Sequence, residues 1–130
     1  MKFKFTYILI LFSFFSCKND PICTINENNA GKEIYDLDEA TCFIALKLQK
    51  KKSNLNLIRD ALIAEENYMS KIRLLSKNPD SKNKSNAYLD INELVKYAIH
   101  KEKINLTKDH LLEIYNIEIE YLKFIGVLDE

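Results

Sequence analysis

Residues 55–76 read LNLIRDALIAEENYMSKIRLLS, a segment in which apolar side chains recur every three or four positions. That spacing places them on one face of an α-helix, while most charged side chains fall on the other face. The apolar stripe consists of Leu55, Ile58, Ala61, Leu62, Ala64, Tyr68, Met69, Ile72 and Leu75. An amphipathic helix is therefore predicted over 55–76, and its apolar face must be buried against other elements.

Three further segments have helical periodicity, and each follows a side chain that can cap a helix. Asp36 and Asp90 are each followed three residues later by Glu, the arrangement of a capping box, and Thr107 precedes the last apolar stripe. Gly126 is a natural stop for that stripe. Helices are expected over 37–51, 55–76, 90–102 and 107–126.

The four predicted helices fall into two pairs. Residues 76–86 contain Pro79 and no apolar side chain, which predicts an exposed linker ending near residue 87. The alternation in residues 117–121 is also compatible with a strand, although helical spacing on both sides favours a helix. We expect an all-α fold in which two helical hairpins pack as a small four-helix bundle.

The two halves of the chain also match at an offset of 53 residues, a period typical of repeated helical hairpins. The match reflects either an internal repeat or chance in a chain rich in Leu, Lys and Glu. Identical residues occur at Tyr35 and Tyr88, Ala45 and Ala98, Lys50 and Lys103, Glu65 and Glu118, Tyr68 and Tyr121, Ile72 and Ile125, and Leu75 and Leu128.

The first 16 residues differ from the rest in composition. They hold five of the seven Phe residues and no acidic residue, and a basic start is followed by an apolar run from Tyr7 to Phe15. This run is too short to span a bilayer, which needs about 20 apolar residues. Residues 1–16 therefore have the length and flanks of a secretory signal peptide.

The leader ends in Phe14-Phe15-Ser16-Cys17, which resembles the lipobox of bacterial lipoproteins. The resemblance implies that the Cys17 thiol receives a diacylglyceryl group, that signal peptidase II cuts before it, and that the new amine is acylated. Three fatty acyl chains would then anchor the protein in the cell envelope. Lys18 after the lipidated residue implies the outer membrane, with either side possible. The alternative is a cleaved, soluble protein in which Cys17 occurs by chance.

Residues 17–35 are rich in Asn, Asp, Pro and Gly, which predicts a flexible tether between the lipid and a helical domain over 36–130. Cys23 and Cys42 are the remaining thiols, in a compartment where disulfides persist. They either pair and fasten the tether to the first helix, or Cys42 is an ordinary buried residue of the apolar face.

The chain is poor in groups that carry out catalysis. His110 and Glu113 share one helix face, but a catalytic zinc site needs a third protein ligand, so neither a metal site nor a cofactor is predicted. Glu65 and Glu118, with their acidic neighbours, are interpreted as solvated helix flanks rather than a carboxyl pair. Residues 17–130 carry 17 basic and 19 acidic side chains, which disfavours a nucleic-acid partner.

Four tyrosines on the predicted helices, Tyr68, Tyr97, Tyr115 and Tyr121, are candidates for contact with a protein partner. A tyrosine that buries its ring and keeps its hydroxyl in water suits an interface, although it also suits the rim of a core. The expected function is non-catalytic protein binding at a membrane. In size and location only, the chain resembles the immunity proteins that protect bacteria from toxins. The alternative is a structural or assembly subunit of an envelope complex.

Overall fold

The structure is a computed structural model that describes residues 23–49, 55–74 and 88–129. Over these residues the regular structure is entirely helical, so the all-α prediction is confirmed and the strand alternative for residues 117–121 is wrong. The elements are a short 3₁₀ turn at Glu27–Asn29, then α1 Leu37–Lys47, α2 Leu55–Lys71, α3 Ile91–His100 and α4 Lys108–Phe124. The two long helices, α2 and α4, each pack against the other three helices of the bundle.

The helices begin where the capping residues predict. The Asp36 carboxylate accepts hydrogen bonds from the backbone N–H groups of the second and third residues that follow it, and Asp90 does the same for α3. The Thr107 hydroxyl accepts from the His110 N–H at 3.2 Å. These contacts satisfy backbone donors that have no partner within a helix.

All four helices end earlier than predicted, by two to five residues. Gln49 and Arg73, which follow α1 and α2, have positive φ angles of 50° and 61°. No glycine marks either position, so the sequence carries no stop signal there. At the end of α4, Gly126 has a φ of 83°, and its N–H donates to the Lys123 carbonyl while the Val127 N–H donates to the Leu122 carbonyl. This Schellman arrangement confirms the predicted stop.

The core is built from the apolar stripes of all four helices. Small side chains such as Ala40, Ala61 and Ala98 are fully buried and allow close approach of the helices. The larger aliphatic side chains buried between them are Ile44, Ile58, Leu62, Leu94, Val95, Leu111, Ile114 and Ile125.

The chain before α1 differs from the predicted tether. Residues 23–35, here called the N-terminal arm, contact the helices through a disulfide between Cys23 and Cys42 and through backbone hydrogen bonds. The Gly31 and Glu33 N–H groups donate to the carbonyls of Phe124 and Ile125 at 3.0 and 2.7 Å, and so satisfy acceptors left open at the end of α4. The predicted tether over 17–35 is therefore wrong for the arm. Residues 17–22 lie outside the described residues.

The arm crosses the end of α4 at a contact between the two glycines of the chain. A Cβ atom on Gly126 would lie 2.9 Å from the Cα atom of Gly31, which is closer than such atoms approach. Both positions also have positive φ angles, a conformation that favours glycine. The close approach and the backbone conformation are therefore two separate reasons for glycine at this crossing.

The positions of α2 and α4 match the offset found in the sequence. Each helix has 17 residues, and their first residues, Leu55 and Lys108, are separated by that offset. The internal repeat itself stays a prediction. The predicted signal peptide, Cys17 and the predicted linker over 76–87 lie outside the residues that the structure describes.

Candidate functional site

Three glutamates lie in the interior of the bundle, one each on α1, α2 and α4. Glu39, Glu65 and Glu118 are only 6, 8 and 5% exposed. Acidic side chains are almost never buried this far unless they are paired, because loss of water disfavours the charged form. Every buried side-chain nitrogen and oxygen of the described residues has a hydrogen-bond partner. The question is therefore which groups replace water around each carboxyl.

Glu39 connects α1 to the N-terminal arm and to α4. Its carboxylate accepts hydrogen bonds from the Asn26 N–H at 2.6 Å, from the Asn29 side-chain amide at 3.0 Å and from the Tyr121 hydroxyl at 2.9 Å. The sequence suggested that Glu39 completes a capping box with Asp36. Its carboxylate instead fastens the arm over the first turn of α1.

Glu65 and Glu118 meet across the interface of α2 and α4. Their side chains are hydrogen-bonded to each other, and the Tyr35 hydroxyl donates to Glu118 Oε1 at 2.7 Å. Burial, the hydrogen bond to Glu118 and the negative charge of Glu118 together raise the pKa of Glu65 to about 10. Loss of water and the neighbouring acid both favour the protonated form of this carboxyl.

The interpretation of Glu65 and Glu118 as solvated flanks is wrong, whereas their neighbours Glu66 and Glu120 are exposed. The two residues follow the buried Leu62 and Tyr115 by three positions and so occupy places in the apolar stripes. Stripe position was the signal that could have identified them. Residue type alone assigned them to the surface.

Tyr115 and Tyr121 belong to the core, at 3 and 0% exposure, so their predicted role at a partner surface does not fit the structure. The Tyr115 hydroxyl donates to the Ala61 carbonyl at 3.1 Å.

The Tyr121 ring packs against the rings of Tyr35, Phe43 and Phe124, at centroid distances of 5.6, 5.5 and 6.2 Å. Burial and the hydrogen bond to Glu39 raise the pKa of Tyr121 to about 12, although its backbone hydrogen bond with Asp36 acts in the opposite direction.

The other two predicted tyrosines lie together at the surface between α2 and α3. The rings of Tyr68 and Tyr97 are half-buried, with centroids 5.3 Å apart, and the Lys71 ammonium lies 5.1 Å from the centroid of Tyr97. The Tyr97 hydroxyl donates to Glu102 Oε1 at 2.8 Å, a contact that raises the pKa of Tyr97. These four residues, with Asn67, form what we call the tyrosine face.

His110 and Glu113 line an open groove of about 460 Å³ that also contacts Leu57, Leu106 and Ile114. Both polar side chains are exposed. Within residues 23–49, 55–74 and 88–129, no group of three or more His, Cys, Asp or Glu side chains is placed to hold a metal ion.

None of the helices described is both long enough and apolar enough to cross a membrane. Comparison of the chain with protein-family models, with curated proteins and with solved structures yields no match.

Proposed function

We propose that this protein is a bacterial lipoprotein, anchored in the cell envelope through lipid on Cys17, whose helical domain binds a protein partner without catalytic turnover. The tyrosine face is the observation that supports binding. Two adjacent aromatic rings, with a lysine and a glutamate beside them, have the aromatic centre and polar rim of a protein interface.

The specific role that we favour is that of an immunity protein, which binds and blocks a toxin one to one. The support for this role is rigidity. The disulfide and the bonds to Glu39 hold the arm against the helices, and a preordered surface loses little conformational entropy when it binds. A structural subunit of an envelope complex would use the same surface, so the identity of the captured partner distinguishes the two roles.

The binding role predicts that Tyr68→Ala and Tyr97→Ala each weaken capture of a partner. A central interface tyrosine contributes 2 kcal/mol or more, so each change should lower affinity by about 30-fold. The full chain, solubilised in detergent, is used to capture partners from membranes of the producing strain and from toxins of competing strains. Tyr88→Ala is the control, because that ring is 79% exposed. Retention of the partner by both variants, with their fold intact, would contradict this placement of the interface.

The lipid anchor predicts a mature protein that begins at Cys17 and carries three acyl chains. Intact-mass measurement of protein extracted from membranes should show the diacylglyceryl and acyl additions, and Cys17→Ser should leave the chain unlipidated and unprocessed. An unmodified mass, or a mature N-terminus at another residue, would show that the leader is an ordinary one.

A further inference from the structure

The contact between Glu65 of α2 and Glu118 of α4 joins the hairpin of α1 and α2 to the hairpin of α3 and α4 through a pair of acids. Neither carboxyl forms an ion pair with Lys, Arg or His among the described residues, and the hydrogen bond between them requires a proton. Two carboxylates in contact in a dry interior repel each other, and one shared proton removes that repulsion. We propose that Glu65 and Glu118 hold a single proton between them at neutral pH and that this proton locks the two hairpins together.

Among the residues that the structure describes, the groups around the pair supply donors but no positive charge. From the arm, the Tyr35 hydroxyl donates to Glu118, and from α4 the Tyr115 hydroxyl lies near both glutamates while it donates to Ala61. Tyr121 of α4 adjoins Tyr35 and is bonded in turn to Glu39 of α1.

The remaining charged group on that side is Asp36, which lies beside Tyr121. The buried side chains of α3 are the apolar Leu94, Val95 and Ala98. A second negative charge on the pair would therefore have nothing to neutralise it.

The proton lock makes stability depend on pH in a defined direction. In the unfolded chain Glu65 ionises near its ordinary pKa of 4.5, whereas in the folded protein burial and the contact with Glu118 raise its pKa to about 10. The folded state thus holds one more proton than the unfolded state between these values, and stability falls as the pH rises through this window.

The test is urea unfolding of the full chain in non-ionic detergent, from about pH 5 to pH 9. The unfolding equilibrium constant of the unaltered protein should rise by up to about tenfold per pH unit. Glu65→Gln keeps a neutral donor for Glu118 and removes the titrating group. It should match the unaltered protein near pH 5, unfold less readily at higher pH, and lose most of the slope.

Glu66→Gln is the matched control, since it removes an exposed carboxyl from the adjacent position on the same helix. It should keep the full slope. A second readout is the carboxyl ¹³C NMR signal of labelled glutamate. It should show that one glutamic acid remains protonated at about pH 8 in the unaltered protein. Equal slopes in the two variants, or ionisation of every glutamate below about pH 6, would overturn the proposal. The carboxyl signal alone decides if Glu65→Gln does not fold.

Discussion

Replacement of Tyr121 by Ala is expected to destabilise the bundle by about 3–5 kcal/mol, the range seen when large buried aromatic side chains are removed from cores. The side chain is fully buried, and its ring contacts those of Tyr35, Phe43 and Phe124. The change would leave a cavity at the point where the arm, α1 and α4 meet. It would also remove one of the donors that stabilise the buried carboxylate of Glu39.

The two parts of this effect can be separated by Tyr121→Phe, which keeps the ring and removes the hydroxyl. A hydrogen bond to a charged group contributes about 1.5–3 kcal/mol, so this variant should show a smaller loss than Tyr121→Ala. If the hydroxyl acts through Glu39, Glu39→Gln combined with Tyr121→Phe should cost less than the sum of the single changes.

Urea unfolding followed by far-ultraviolet circular dichroism measures each free energy. Tyr88→Ala is the control, since that ring is exposed and its loss should change stability by no more than about 0.5 kcal/mol. A cost below about 1 kcal/mol for Tyr121→Ala would mean that the ring is not part of the core.

Local signals in the sequence were sufficient for the helix starts. Asp36, Asp90 and Thr107 cap helices because their side chains reach backbone groups two or three residues away, and such contacts are visible in a short stretch of sequence. The stop at Gly126 was predictable for the same reason. The ends of α1 and α2 were not, because Gln49 and Arg73 adopt a backbone conformation that their residue types do not favour.

The candidate site was missed because its contacts join distant parts of the chain. Glu65 and Glu118 each look like surface residues alone, and each is acceptable in the core only because the other, with Tyr35, replaces water. The arm was misread for a related reason. Its polar composition is typical of a loop, but its Gly31 and Glu33 N–H groups find acceptors at the far end of α4, which no periodicity indicates.

The disulfide between Cys23 and Cys42 is expected to contribute about 3 kcal/mol to the stability of the fold, because it closes a loop with a sequence separation of 19 residues and so restricts the unfolded chain. Cys23→Ala is the better probe, since Cys23 is only partly buried whereas Cys42 is 7% exposed. Added reductant should lower the stability of the unaltered protein to a similar extent and should not affect the variant.

Hydrogen exchange shows whether that loss is local to the arm. The Gly31 and Glu33 N–H groups donate to carbonyls at the end of α4 and should therefore exchange slowly, whereas the Leu94 N–H lies in α3 and donates to the Asp90 carbonyl. If the disulfide holds the arm in place, Cys23→Ala should speed exchange at Gly31 and Glu33 by about 100-fold. Exchange at Leu94 should be speeded less, under conditions where α3 opens separately from the arm.

Release of the arm would also withdraw Tyr35 from Glu118, so the carboxyl pair would become accessible to water. Unchanged exchange at Gly31 and Glu33 would mean that the hydrogen bonds to Glu39, Phe124 and Ile125 are sufficient to hold the arm without the covalent link.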